Sequence, residues 1–226
     1  MRKSLLALVA FLSAPAAFAQ TAPAQPAAVP PAIDQENILN LDLSTGGRVV
    51  IQLRPDKAPQ SVERIKTLTR QHFYDGLTFH RVIDDFMAQT GDPKGTGEGG
   101  SPLPNLKAEF NDLPHVRGTV SMARADAIDS ANSQFFIMFQ PMLRLDGKYT
   151  PFGRVISGMQ YVDVIERGEP PVNPSRIIRA SIGAENVPPP TAEEFQAAVK
   201  PVPSPPVGII PPAAQKPVPI KKIKRK

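Results

Sequence analysis

Proline crowds both ends of this chain. Five prolines lie between Pro15 and Pro31, and eleven between Pro188 and Pro219. Proline lacks the backbone N–H and locks φ near about −65°, so it breaks helix interiors and drops out of central strands. Repeated every few residues, it leaves no run long enough for either. The foldable material is therefore the middle, residues 34–186, a length that buries one good core. Residues 20–33 read as an Ala/Pro-rich linker. Residues 187–226 read as a Pro-rich basic tail, and both ends are expected to be disordered. Within the tail, Thr191–Lys200 is expected to form a short helix capped by Thr191.

The first 19 residues carry a different signal. Arg2 and Lys3 precede the apolar run Leu5–Leu12, Pro15 interrupts, and Ala17-Phe18-Ala19 follows. A basic start, a short apolar stretch and a small-residue site mark a cleavable secretory leader, with cleavage expected after Ala19. The stretch falls short of the ~20 apolar residues that span a bilayer. The chain has no cysteine. That excludes a lipid anchor at the cleavage site, a disulfide framework, a thiol nucleophile and cysteine-ligated zinc. The expected destination is a bacterial periplasm.

The net charge of +5 is unevenly placed. All acids fall between Asp34 and Glu194, while seven bases lie from Lys200 onward and two at the start. That leaves seventeen bases against twenty-one acids in the middle. The folded unit is mildly acidic and is not a nucleic-acid surface. The closing Lys221-Lys222-Ile223-Lys224-Arg225-Lys226 is expected to give no more than a weak electrostatic contact with the cell envelope.

In the middle, Asn37–Leu43 and Arg48–Leu53 alternate apolar and polar residues around Thr45-Gly46-Gly47, a hairpin signal. Pro59 sits in the first turn of a helix whose Val62, Ile65, Leu68 and Thr69 share one face, running to about His72. Further strands are expected at Thr78–Val82, Phe86–Thr90, Gly118–Met122, Gln134–Met138, Thr150–Val155 and Arg176–Ile182. A second helix is expected from Met159 through Arg167. Many short strands with two helices argue for a mainly β antiparallel barrel or sandwich, and the pattern alone does not choose between them.

The chemistry-bearing residues are concentrated. Phe79–Gln89 reads F-H-R-V-I-D-D-F-M-A-Q. Then come Gly91-Asp92, the glycine loop Gly95–Gly100, Ser121-Met122-Ala123-Arg124-Ala125, Ser133-Gln134-Phe135-Phe136-Ile137, and Leu145-Asp146-Gly147-Lys148 with Phe152-Gly153. In this order they resemble the cyclophilin family of peptidyl-prolyl cis–trans isomerases, in its compact bacterial exported form, over about Ile38–Ile182. The resemblance implies a closed eight-stranded antiparallel β-barrel capped by two α-helices. It implies a protein that takes proline-containing unfolded or flexible polypeptides and uses no cofactor or metal; nothing in the sequence suggests more than a monomer.

That chemistry has a simple physical demand. An X–Pro bond turns over a barrier of about 18–20 kcal/mol set by amide resonance. No bond breaks, so the catalyst has only to grip the proline and favour the twisted state. By the resemblance, Arg81 is the catalytic donor to the prolyl nitrogen, its guanidinium charged at any relevant pH. Phe86 and Gln89 complete the catalytic group, Gln89 holding the substrate backbone. Met87, Phe136 and Leu145 join Phe86 around the proline ring. Gly95, Ala123, Arg124, Gln134 and Tyr149 are expected along the peptide groove.

Plainer readings account for the neighbouring features. His80 is expected to be structural, since no proton is transferred. His72 and His115 lack ligand spacing. Gly95–Gly100 is not a phosphate loop, for no Gly-Lys-Ser/Thr follows. Asp84-Asp85 reads as a solvated bend. Two other functions fit the same residues. One is a non-catalytic proline-peptide-binding chaperone or adaptor using the same groove, and the other a scaffold driven by the tail. The chain also departs from the family at Arg124, where an asparagine is common, at Arg144, where tryptophan is frequent, and at Tyr149, where histidine stands. With no tryptophan at that place, cyclosporin is expected to inhibit only weakly, which a titration of the isomerase rate will measure.

Overall fold

The computed structural model describes residues 33–199. The expected leader, the linker before Ile33 and the tail beyond Val199 lie outside the described residues. The chain is mainly β. Strands β1 (Ile38–Leu43) and β2 (Gly47–Leu53) form the opening hairpin, followed by helix α1 (Pro59–Arg70). Strands β3 (Arg81–Ile83), β4 (Met87–Thr90), β5 (Thr119–Met122) and β6 (Phe135–Met138) come next. Then follow β7 (Thr150–Ser157), the short helix α2 (Met159–Asp163), β8 (Ile177–Ile182) and α3 (Ala192–Val199).

All eight strands belong to one antiparallel sheet, in the order β3-β4-β6-β5-β7-β2-β1-β8. The sheet curls around a core in which the hairpin supplies Leu39, Leu41, Leu43, Val49, Ile51 and Leu53. Phe79, Phe135 and Phe152 fill its centre.

The end strands β3 and β8 share no ladder, so the expected continuous closure is replaced by a bridged seam. The segment before β3 reaches across instead. Gly76 N donates to Ile177 O at 2.7 Å, Ile177 N to Leu77 O at 2.9 Å, and Phe79 N to Ser175 O at 2.8 Å. This is why β3 starts at Arg81 and not at Thr78: Thr78 is spent on a single bridge to Arg176.

Helix α1 buries Ser61, Val62, Ile65, Leu68 and Thr69, the face expected from their spacing. Its N-terminus lacks a local side-chain cap. Glu109 supplies one from a distant loop, accepting from Gln60 N (2.9 Å), Ser61 N (2.8 Å) and Ser61 Oγ (2.6 Å). A carboxylate there satisfies orphan N–H groups and meets the positive end of the helix dipole. The helix ends before His72, whose φ of 55° is left-handed. Helix α2 is shorter than expected, stopping at Asp163. Arg167 folds back to donate to the carbonyls of Asp163 (2.8 Å) and Ile165 (2.6 Å), turning the chain out of the helix. Helix α3 has the expected cap: Glu194 N donates to Thr191 Oγ1 at 3.3 Å, and Glu194 Oε2 accepts from Thr191 N at 2.6 Å. That reciprocal pair is a capping box.

In β1 the polar residues of the alternation are buried as well. Asp42 is fully buried, and β2 and β8 place an arginine opposite it on either side. Arg48 binds it with Nε (2.7 Å) and Nη2 (3.0 Å), and Arg179 adds Nη2 at 3.3 Å. The same guanidiniums donate to the carbonyls of Val187 and Pro188. Removing one partner of a buried charge group leaves the others uncompensated, at about 3–5 kcal/mol. Asp42→Ala is therefore expected to lower the unfolding free energy by about that amount, with Asp42→Asn less affected, as read by urea denaturation.

Candidate active site

Strand β6 is apolar on both faces and β4 begins so with Met87 and Ala88, and alternation assigns each face a task. Ala88, Phe135 and Ile137 point into the core. Met87, Phe136 and Met138 point the other way and, with Ala123, form a second cluster. Ile83, Phe86, Met142, Leu145 and Tyr149 border it. Register then aligns a row across the sheet: Arg81 opposite Gln89, Gln89 opposite Phe136, Phe136 opposite Ser121. A cation, an amide and an aromatic ring are thereby held side by side on one surface.

This row floors a cleft of about 300 Å³. All the sequence-predicted residues line it except Gln134 and Gly95, and Arg144 joins them. Phe86, Met87, Phe136 and Leu145 give it an apolar bottom large enough for a small ring. Gln134 lies in an adjoining cleft of about 530 Å³ that shares Gln89, Ala123 and Arg124 with the first. Gly95 lines neither; Gly97, Gly99 and Gly100 of the same loop line the second.

Polar groups tie the two clefts together. Arg81 Nη1 donates to Gln89 Oε1 at 3.4 Å, and Arg81 Nε donates to Glu169 Oε2 at 2.8 Å. Gln89 Nε2 donates to Gln134 Oε1 at 2.8 Å. Gln134 Nε2 donates to the carbonyls of Gly97 (2.9 Å) and Gly99 (2.7 Å). Arg124 lines both clefts and is held by its own neighbours. It donates to the carbonyls of Ala125 and Lys148, and its guanidinium stands 5.0 Å from the centroid of the Tyr149 ring.

Several residues that hold the site were missed from sequence. His115 is fully buried behind Phe136, with the two rings stacked at 6.2 Å between centroids. Its Nδ1 lies 2.8 Å from Asp146 Oδ1 and its Nε2 lies 3.1 Å from Ser121 Oγ. Ser, His and Asp in that order resemble a hydrolase triad, but Ser121 is fully buried and offers no surface to a substrate. The group instead fixes Phe136 and the turn bearing Leu145. Burial pushes the Asp146 carboxyl up, and the His115 backbone and ring outweigh it, holding the group below the usual carboxylate range. Asp146 lies in the Leu145–Lys148 motif; His115 gave no signal, being an isolated histidine whose carboxylate partner is 31 residues away.

Asp92 is the second. It is 1% exposed and accepts from Lys94 N (2.7 Å), Thr96 N (2.9 Å) and Gly97 N (2.6 Å). Burial pushes its carboxyl up, but these backbone donors prevail and hold it below the usual range. His80 lies beneath the same loop, and neither ring nitrogen has a hydrogen-bond partner among the described residues. Burial pushes its pKa down against the pull of Asp92, and the hydrogen bonds expected of a structural histidine are not made by its ring nitrogens among the described residues. Among the described residues no three His, Asp or Glu gather as metal ligands.

The family model for cyclophilin type peptidyl-prolyl cis-trans isomerase matches residues 39–182. A probable peptidyl-prolyl cis-trans isomerase from Brucella suis is 45% identical over 199 residues, 81% of this chain and 97% of its own length. Peptidyl-prolyl cis-trans isomerase B from Bacillus subtilis is 42% identical over 129 residues, 56% of this chain and 89% of its own. Among solved structures, a cyclophilin from Hirschia baltica aligns with a TM-score of 0.63 at 28% identity, covering 69% of this chain and 77% of that one. A cyclophilin type isomerase from Cryptosporidium parvum, crystallised in the presence of the dipeptide Ala-Pro, aligns at 0.60 and 26% identity, covering 64% and 98%.

Two of the shifted groups, both buried, set a pH dependence. His80 has a folded pKa below its unfolded value, so its contribution is complete above about pH 6.5 and is lost as pH falls through the folded pKa. Asp92 is also depressed, and its contribution is lost at lower pH, below about 4. The thermal midpoint is expected to hold at neutral pH and fall in these two stages. His80→Gln is expected to remove the first stage only, as followed by calorimetry across pH.

Proposed function

We propose, on the premise that this chain belongs to the cyclophilin-type peptidyl-prolyl cis-trans isomerase family, that it accelerates the folding of exported polypeptides at their X–Pro bonds. The enzyme catalyses cis–trans exchange about those bonds. The substrates we assign are unfolded or flexible proline-containing chains, and the working form is a monomer. The Ala-Pro dipeptide used with the Cryptosporidium parvum relative supports such a ligand. The Arg2–Ala19 signal supports export to the periplasm, and the basic tail supports a weak envelope contact.

The mechanism follows from the row across the sheet. Phe86, Met87, Phe136 and Leu145 hold the pyrrolidine ring, so the ring stays still while the preceding carbonyl swings. Gln89, braced by Gln134, holds the substrate backbone. As the C–N bond twists, conjugation is lost and the prolyl nitrogen regains its lone pair. Arg81 donates to that lone pair, an interaction available only in the twisted state, which is the kind that raises the rate. The reading rests on one observation above others: Arg81 and the apolar floor line the same cleft.

The test is exchange of a short Ala-Ala-Phe-Pro peptide followed by NMR. The wild-type protein is expected to outpace the spontaneous process, which takes tens to hundreds of seconds. Arg81→Ala, still folded, is expected to lose about 10- to 100-fold, the worth of one charged hydrogen bond. A folded wild-type protein with no acceleration overturns the catalytic reading in favour of peptide binding alone. Export is tested separately: the periplasmic fraction should contain a chain beginning at Gln20.

A further inference from the structure

Glu169 stands between α2 and β8, and register places it against Arg81. Val82 N donates to Gly168 O at 2.8 Å and Gly168 N donates back to Val82 O at 2.9 Å, an isolated antiparallel bridge. With Val82 opposite Gly168, Arg81 falls opposite Glu169, and cross-strand partners of opposite charge meet. The result is the 2.8 Å contact from Arg81 Nε to Glu169 Oε2.

The segment that carries Glu169 is fixed on both sides. Gly168 has φ of 147°, and a Cβ there would lie 2.6 Å from Pro171 Cα, so the bridge requires glycine. Arg167, one residue earlier, donates to the carbonyls of Asp163 and Ile165 and sits 4.1 Å from the Phe139 ring centroid. Phe139 N in turn donates to Phe86 O at 2.9 Å, which connects the segment to the wall of the cleft. Glu169 is thus presented to Arg81 from the same framework that holds the proline-ring pocket.

The pair contributes little to stability. The two side chains are 41% and 52% exposed, and solvent-facing ion pairs are weak. Its value is orientation. A guanidinium is a planar fork of donors on a long flexible stem, and an unheld arginine spreads over many rotamers. With Nε held by Glu169, the plane of the guanidinium and the direction of its Nη1–Nη2 end are fixed; Nη1 reaches Gln89, and no hydrogen bond among the described residues uses Nη2.

We propose that Glu169 is a positioning residue for the isomerase reaction, holding Arg81 by Nε so that its terminal nitrogens face the prolyl nitrogen. This rests on the assignment of Arg81 as the donor. An ion pair of this exposure sets the size of the effect.

The full chain is assayed by NMR peptide exchange as wild type, E169A, E169Q, E169D, R81A and the E169A/R81A double variant. E169A is expected to lower kcat about fivefold, the scale of a solvent-facing pair, with KM nearly unchanged because the ring pocket is intact. E169D and E169Q are expected to recover part of the loss, since each still offers an acceptor. In the R81A background, E169A is expected to change nothing. The ¹⁵N-labelled Arg81 Nε–H is expected to exchange with water faster in E169A than in wild type. Unchanged kcat in E169A overturns the proposal, and so does a rise, which would make Glu169 a clamp that restrains the cation. An equal loss in the R81A background also overturns it. A wild-type rate no faster than spontaneous exchange overturns the isomerase reading itself, whereas an active wild type with an indifferent E169A overturns only the role of Glu169.

Discussion

The paired clefts depend on one buried carboxylate. Asp92 gathers backbone N–H groups from the glycine-rich loop that follows it, and that gathering gives the loop its shape. A buried carboxylate without donors would be costly, and a loop without an anchor would leave its own N–H groups unpaired. Each solves the other's problem. Because the loop is held, the carbonyls of Gly97 and Gly99 stand where Gln134 can reach them, and Gln134 can support Gln89 beside Arg81. Shape at one end of the groove becomes orientation at the other.

The sheet explains why so little machinery is required. Strand β6 is apolar on both sides and Met87 and Ala88 of β4 continue both surfaces, so the same strands that close the core present the pocket to solvent. Rigidity of the core is lent directly to the site, with no intervening loop. The His115–Asp146–Ser121 group behind Phe136 adds a polar brace at the back of the pocket, and its members come from three separated stretches of chain.

Much of this was legible in the sequence because alternation and local motifs report it. The hairpin, the buried face of α1 and the Thr191 cap follow from spacing within short windows, and the residues around Arg81 and Phe136 from the resemblance to the cyclophilin family. What was not legible is pairing across distance. Asp42 looked like an outward residue of an alternating strand, and only the neighbours on both sides, β2 and β8, show that two arginines cover it. Glu109 capping α1, His115 behind Phe136 and Glu169 beside Arg81 are all contacts between residues far apart in the chain. The bridged seam was missed for the same reason, a local preference yielding to a partner elsewhere, whereas the early end of α2 is set locally by Arg167 on the carbonyls of Asp163 and Ile165.

The hydrogen bonds from Arg81 through Gln89 and Gln134 to the glycine loop all run in one sense. Each amide accepts from the cation side and donates toward the loop. Turning either amide over would set its oxygen against a carbonyl or its NH₂ against a donor, leaving polar groups unmatched at a cost of about 1–3 kcal/mol each. The row therefore has a single self-consistent polarity, fixed by a permanent cation at one end and by two carbonyls at the other. Amides do not titrate, so this polarity is independent of the acidity of the surroundings. The cleft therefore carries a pattern of donors and acceptors that is already decided before anything enters it.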